Sequence, residues 1–205
     1  RRSSDLAFNG KITLQHPARF GMLKIGVCDP YRSFHEKSYI ELRGELNIGN
    51  HTVLRRGISL LIKETGKVTL EDDVYVGDNV SIVSAESITI KKATRVANNT
   101  VFMDTDFHYT VNTLTREVKP INAPIVIGEN NWIGAWCTIK KGCHTPKGTI
   151  IAGPYTMAGK NYIDKIPEFS IIAGSPAKLI AENIRRVNNT PKEMLLAEYF
   201  SSHKE

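Results

Sequence analysis

The chain has 205 residues, of which 41% are hydrophobic and 23% charged, and its formal net charge is +6. This balance is typical of a soluble globular protein and argues against a disordered one. No apolar run approaches the roughly 20 residues of a membrane-spanning helix, so we expect no membrane span. The basic residues are scattered, which disfavours a nucleic-acid surface and favours a polyanionic small ligand as their partner.

The cysteines are three in number, Cys28, Cys137 and Cys143, and none has a CxxC partner. An odd count without that spacing argues against both a disulfide framework and a zinc knuckle. The basic opening of the chain lacks an apolar core of signal-peptide length. We therefore expect reduced thiols and a cytoplasmic location.

Residues 1–38 are the least regular part of the sequence. Two stretches, Lys11 to Leu14 and Met22 to Val27, are compatible with short strands, and Cys28 to Ser38 has the composition of a loop. The sequence indicates no function for this segment.

A repeat with a step of six begins at residue 39 and predicts the fold. Each unit has one inward aliphatic residue that a single unit cannot bury, whereas stacked units bury a continuous column, as in a parallel β-helix. We therefore predict an all-β domain over residues 39–178. The repeating positions are Ile48, Leu54, Leu60, Val68, Val74, Val76, Ile82, Ile88, Ile90, Val96 and Phe102, then Ile127, Ile133, Ile139, Thr145, Ile151 and Met157.

The repeat is interrupted between Val101 and Gly134, where we predict a protruding loop over residues 104–124. The loop contains His108, preceded by Asp104 and Asp106. An imidazole is suited to general-base chemistry because its ordinary pKa is near neutral. The two carboxylates are candidates for orienting the imidazole or for binding an acceptor, and together with the histidine they also fit a metal site.

The last part of the chain, residues 179–205, is predicted to form two short helices. Leu179, Ile180 and Ile184 have roughly helical spacing, and Thr190 followed by Pro191 is typical of an N-cap and its first helical residue. We expect these helices to cover the open end of the β-helix, where strand edges are unpaired.

Four sequence features together resemble the hexapeptide-repeat acyltransferases, most closely the bacterial sugar and polysaccharide O-acetyltransferases. They are the repeats, DTDFH at 104–108, IGENNWIGAWCTIKKG at 127–142 and IIAGSPAKLI at 171–180. The resemblance covers roughly residues 40–185. It implies a left-handed β-helix with about three hexapeptides per triangular coil, acetyl-CoA as co-substrate, no metal, and a homotrimer whose active sites lie between subunits.

The resemblance also assigns roles to individual residues. His108 is the expected general base, Asn99 the expected acceptor-binding residue, and the Ala135 backbone N–H the expected donor to the developing oxyanion. The chain is about three residues longer than the family pattern before Pro167, which leaves open whether Lys160 or Lys165 reaches the coenzyme. The implied coenzyme-binding residues are Trp132, Ala135, Gly153, Ala158, Lys160 or Lys165, Lys178 and Arg185.

The expected function is therefore O-acetylation of a sugar or glycan by direct transfer in a ternary complex. Acetylation of a nitrogen on an amino or nucleotide sugar, or of an antibiotic, would use the same machinery and stays open. A carbonic anhydrase on this scaffold would need three histidine ligands, and only His108 lies in the right region. A non-catalytic scaffold would have no reason to carry a loop of this composition. An acyl-cysteine route is disfavoured, since Cys137 and Cys143 occupy small or inward repeat positions.

Overall fold

The computed structural model of the protein describes residues 5–27 and 37–203. Most of the predicted loop at Cys28–Ser38 therefore lies outside the described residues. Twenty short strands and one helix are present in the described residues. The strands are β1 (Asp5–Phe8), β2 (Lys11–Leu14), β3 (Leu23–Val27), β4 (Tyr39–Leu42), β5 (Glu45–Ile48), β6 (Thr52–Arg55), β7 (Ser59–Ile62), β8 (Lys67–Leu70), β9 (Tyr75–Val76), β10 (Ser81–Ser84), β11 (Ser87–Ile90), β12 (Arg95–Val96), β13 (Val101–Met103), β14 (Ile125–Ile127), β15 (Trp132–Ile133), β16 (Thr138–Lys140), β17 (Ile150–Ile151), β18 (Met157–Ala158), β19 (Ile171–Ala173) and β20 (Lys178–Ala181).

Three sheets run along the molecule, and the chain visits them in turn. Sheet A contains β1, β4, β7, β10, β13, β16 and β18; sheet B contains β2, β5, β8, β11 and β14; sheet C contains β3, β6, β9, β12, β15, β17, β19 and β20. All pairings are parallel except that of β19 with β20. This order is that of a triangular parallel β-helix, and it confirms the fold predicted from the repeats.

The stacked inward side chains of each sheet explain why a six-residue repeat forms a β-helix. In sheet A, Ile40 pairs with Leu60, Leu60 with Ile82, and Ile82 with Phe102, which then pairs with Ile139. All five side chains are buried. Each one covers the aliphatic side chain of the coil below it, so removing apolar surface from water stabilises the stack as a whole.

The step of six, which the sequence predicts to hold without a shift from Ile127 onward, fails at Met157. Ala158, not Met157, pairs with Ile139 and is fully buried, whereas Met157 is only half-buried. The reason is one extra residue in the turn after Ile151, where Tyr155 takes a left-handed backbone conformation with φ of 64°. The prediction that Met157 points inward was therefore wrong, and Ala158 is the core residue of this coil.

The first coil lies before residue 39. Strands β1, β2 and β3 pair in parallel with β4, β5 and β6, so they extend the same three sheets. The two short strands expected near Lys11 and Met22 are present as β2 and β3. The β-helical stack thus includes part of the segment that the sequence had suggested was irregular.

The expectation of two C-terminal helices was half wrong. Lys178–Ala181 is strand β20, which pairs antiparallel with β19 and so satisfies the edge of sheet C that a helix was expected to cover. One helix follows, α1 (Thr190–Ser202), and none of its side chains is buried. Its N-cap is Asn189, one residue before the predicted Thr190, and the Asn189 side chain accepts a hydrogen bond from the Lys192 N–H. In the described ranges of the chain, no helix is long and apolar enough to cross a membrane.

Candidate functional site

The protruding loop leaves the β-helix at the corner between sheets A and B. Its base is a two-stranded ribbon, in which Thr105 and Asn122 form an antiparallel bridge and the Asp106 N–H donates to the Ile121 carbonyl at 2.8 Å. A second bridge joins Val111 and Val118 further out. The loop is therefore held in a defined conformation by its own hydrogen bonds.

Asp104 is part of the scaffold. It is fully buried, and its carboxylate accepts from the Ser84 hydroxyl at 2.8 Å, the Ala85 N–H at 2.7 Å and the Glu86 N–H at 3.0 Å. These three groups belong to the turn of the preceding coil. Because both carboxylate oxygens are used there, the structure gives Asp104 a structural role and not that of orienting His108.

His108 lies between these two bridges and is exposed. Its backbone N–H donates to the Asp106 carbonyl at 2.7 Å, which fixes the turn that precedes the imidazole. The Asp106 carboxylate points to the β-helix, where the Lys141 ammonium lies 2.7 Å away. Asp106 is therefore joined to His108 through the main chain and to the scaffold through its side chain.

An apolar groove runs along the outer face of sheet C and encloses about 690 Å³. Its floor is formed by Trp132, Ile150 and Ile171, which occupy equivalent positions on the adjacent strands β15, β17 and β19. One wall is the turn region between sheets C and A, and the other is the segment after β20. The remaining lining residues are Gly134, Ala135, Trp136, Ile151, Ala152, Gly153, Pro154, Ile184, Arg185 and Arg186.

The groove brings together four of the predicted coenzyme-binding residues, Trp132, Ala135, Gly153 and Arg185. Within the described parts of the chain, the Ala135 N–H has no hydrogen-bond acceptor. A free backbone donor in an apolar groove is suited to stabilising a negative charge that develops on a bound carbonyl oxygen.

The other predicted coenzyme-binding residues lie elsewhere in the chain. Ala158 faces the core, as described above, because of the extra turn residue, so its side chain contacts no ligand in the groove. Lys160 and Lys165 are exposed in the long turn after β18, and Lys178 is exposed on β20. None of these three lysines lines the groove of its own chain.

Sequence reasoning missed Arg186 and Trp136. Arg186 donates through Nη2 to the Ala93 carbonyl at 3.3 Å, and burial, followed by the nearby guanidinium of Arg95, lowers its pKa. Trp136 is 54% exposed beside Ala135. Both residues were adjacent in sequence to predicted ones, which was the available signal.

Asn99 lies in the turn between sheets C and A, one coil before Ala135. It has a left-handed backbone with φ of 59°, and its N–H donates to the Asp78 carbonyl at 2.9 Å. The neighbouring Asn98 accepts from the Asp78 N–H through its side chain and so has a structural partner. Asn99 therefore shares a corner with the groove.

The two cysteines in the described residues have thiols of low reactivity. Burial raises the pKa of the Cys137 thiol to about 11 and that of Cys143 to about 12. The reactive thiolate is thus scarce at neutral pH, which weakens a covalent acyl-cysteine route. Cys28 lies outside the described residues. Among the residues that the structure covers, no cluster of three or more His, Cys, Asp or Glu side chains could hold a metal ion.

The loop and the groove occupy different corners of the same coil stack. The loop leaves between sheets A and B, whereas the groove follows sheet C and its turn into sheet A. The loop is also held at its own corner, because Lys63 lies 4.4 Å from the Phe107 ring centroid.

The chain is similar in sequence to bacterial surface-polysaccharide proteins. No family model matches the chain. The chain is 29% identical over 150 residues to the lipopolysaccharide biosynthesis O-acetyl transferase WbbJ of Escherichia coli, covering 69% of this chain and 74% of WbbJ. It is 32% identical over 148 residues to an uncharacterized 24.8 kDa protein of the cps region of Klebsiella pneumoniae. That match covers 71% of this chain and 62% of the Klebsiella protein.

Solved structures show the same fold. The polySia-specific acetyltransferase NeuO superimposes with a TM-score of 0.66 at 18% identity, over 100% of this chain and 91% of NeuO. A hexapeptide-repeat acetyltransferase of Vibrio cholerae, solved with acetyl-CoA, gives 0.50 at 18% identity over 66% of this chain and 69% of its own. The chain is thus similar in sequence to bacterial surface-polysaccharide O-acetyltransferases, and it has the left-handed β-helix fold of the hexapeptide-repeat acetyltransferases.

Proposed function

We propose that the protein transfers an acetyl group from acetyl-CoA to a hydroxyl of a sugar or polysaccharide precursor. The observation that carries this proposal is the groove. It combines an apolar floor with a free N–H at Ala135 and with the cationic Arg185 and Arg186. A ligand with an apolar arm, a thioester carbonyl and an anionic end would match the apolar floor, the N–H donor and the two arginines in turn.

The proposed reaction is a direct transfer between the two bound substrates, without an acyl-enzyme. His108 takes the proton of the acceptor hydroxyl as its oxygen attacks the thioester carbonyl carbon, and the Ala135 N–H donates to the oxyanion. The carbon–sulfur bond then breaks, and the departing thiolate of coenzyme A receives a proton from the imidazolium. Asn99, in the corner next to the groove, holds the acceptor.

The assembly we propose is a homotrimer. The loop carrying His108 and the groove lie at different corners of one chain, so the loop of one subunit would face the groove of its neighbour. The same arrangement would bring Lys160, Lys165 or Lys178 of a neighbouring chain near the coenzyme. We place the reaction in the cytoplasm, in keeping with the unpaired thiols of Cys137 and Cys143.

The proposal is tested first by binding and then by turnover. We expect coenzyme A to bind in a calorimetric titration, and Trp132→Ala to weaken it, whereas Phe20→Ala, an exposed aromatic outside the groove, should not. Coenzyme A release is then measured with sugars, glycan fragments and matched amino sugars. Absence of coenzyme binding would sink the proposal, and release only with amino sugars would replace oxygen by nitrogen as the acceptor.

Gly153→Ala is expected to damage catalysis through the backbone of Ala135. A Cβ at Gly153 would lie 2.3 Å from the Ala135 carbonyl oxygen and 3.1 Å from its nitrogen, so the peptide carrying the oxyanion donor must shift. A misplacement of this kind costs about 10²-fold in kcat.

Gly128→Ala is the matched control for this substitution. Its Cβ would lie 2.4 Å from the Pro146 carbonyl oxygen, at a turn outside the groove. Both variants should lose thermal stability, but only Gly153→Ala should lose kcat per folded molecule. Equal losses of kcat in the two variants would contradict the role of the Ala135 N–H.

A further inference from the structure

We propose that Lys141 is a positioning residue that fixes the loop and, through Asp106, sets the place of His108. This inference rests on the proposed function, in which His108 is the general base. The evidence is a set of contacts at the loop base.

The Lys141 ammonium holds both arms of the loop. It lies 2.7 Å from Asp106 Oδ2 on the outgoing arm and donates to the Pro120 carbonyl at 2.6 Å on the returning arm. Its side chain is 22% exposed, so most of it is covered by the neighbouring chain segments. One side chain on the next coil therefore joins three segments that are separate in sequence.

The link from Lys141 to the main chain of His108 passes through a single residue. Asp106 binds the ammonium through its carboxylate, and its carbonyl accepts the His108 N–H at 2.7 Å. The Asp106 N–H in turn donates to the Ile121 carbonyl. A change at Lys141 therefore reaches His108 by way of Asp106.

The energetics favour a role in geometry over one in stability. Asp106 is 37% exposed, and a partly exposed ion pair contributes little to the stability of a fold. Holding a reacting group in place has a much larger effect on rate than on folding. This also revises the part assigned to Asp106, whose carboxylate faces Lys141 and not the imidazole.

Lys140 provides the matched control. Its ammonium lies 3.9 Å from Asp106 Oδ1, which is a much longer contact than that of Lys141. Among the described residues, Lys141 and not Lys140 donates a hydrogen bond to the Pro120 carbonyl. The two lysines are adjacent and have the same charge. Any effect of net charge alone will appear in both variants.

The experiment compares Lys141→Met, Lys141→Arg and Lys140→Met. We expect Lys141→Met to lower kcat about 10²-fold with coenzyme A affinity unchanged, Lys141→Arg to recover most of the rate, and Lys140→Met to resemble the wild type. Amide hydrogen exchange over residues 105–122 should accelerate only in Lys141→Met. Because Lys141 acts through Asp106, the losses of kcat in Asp106→Asn and Lys141→Met should not add in the double variant.

Two results would overturn the inference: unchanged loop exchange in Lys141→Met, or equal losses in Lys140→Met and Lys141→Met. Hydrogen exchange separates this inference from the proposed function. If the wild type transfers no acetyl group but Lys141→Met still loosens the loop, the contact with the loop stands and its catalytic purpose is refuted.

Discussion

His108→Ala is expected to lower acetyl transfer by about 10²–10⁴-fold, the contribution typical of a positioned general base. Because His108 is exposed and, among the described residues, forms a hydrogen bond only through its backbone N–H, the substitution should leave thermal stability unchanged. Coenzyme A affinity should also be nearly unchanged, because the proposed role of His108 is to take the acceptor proton and not to bind the coenzyme. Turnover, melting temperature and calorimetric affinity are measured on the same preparation.

His51→Ala is the control for this substitution. His51 is also exposed in a turn of the β-helix and contacts Asp73 at 3.1 Å, far along the chain from the loop. It should keep full activity. Full activity in His108→Ala with its true acceptor would remove His108 from the mechanism.

Asp104→Ala is expected to destabilise the fold by about 3 kcal/mol or more, because several buried donors lose their acceptor. The substitution removes the acceptor for the Ser84 hydroxyl and for two backbone N–H groups at Ala85 and Glu86. A buried donor left without a partner costs about 1–3 kcal/mol. Denaturant unfolding of the variant and the wild type measures the difference.

Asp106→Ala separates this structural role from a catalytic one. The Asp106 carboxylate is partly exposed and should contribute only about 0–1 kcal/mol to stability, although its loss should reduce kcat. The two aspartates of one short motif are thus expected to give opposite phenotypes. Normal stability with lost turnover in Asp104→Ala would restore a catalytic role for that residue.

The fold was predictable because the inward column obeys a strict local rule. Residues such as Leu60, Ile82 and Phe102 fall on that rule without reference to distant contacts. Where a turn gained one residue, before Ala158, the rule gave the wrong inward side chain. Leu179 and Ile180 have helical spacing, but the free edge of β19 offered hydrogen bonds that a strand could satisfy, and this tertiary effect decided the outcome.

The candidate site was only partly predictable for the same reason. Trp132 and Ala135 were named from the family resemblance, and the groove contains both. Arg186 reaches the groove because the segment after β20 turns back along sheet C, which no local pattern reports. The burial of Asp104 did have a signal, since it continues the in-and-out alternation of Phe102 and Met103.

The separation of loop and groove on different corners has a genetic consequence. In the proposed trimer, each site takes its base from one chain and its oxyanion donor from another. A chain damaged only at His108 and a chain damaged only at Gly153 would then complement each other when assembled together, because some junctions would pair an intact loop with an intact groove. Two inactive alleles expressed in one cell could thus restore part of the activity that neither provides alone.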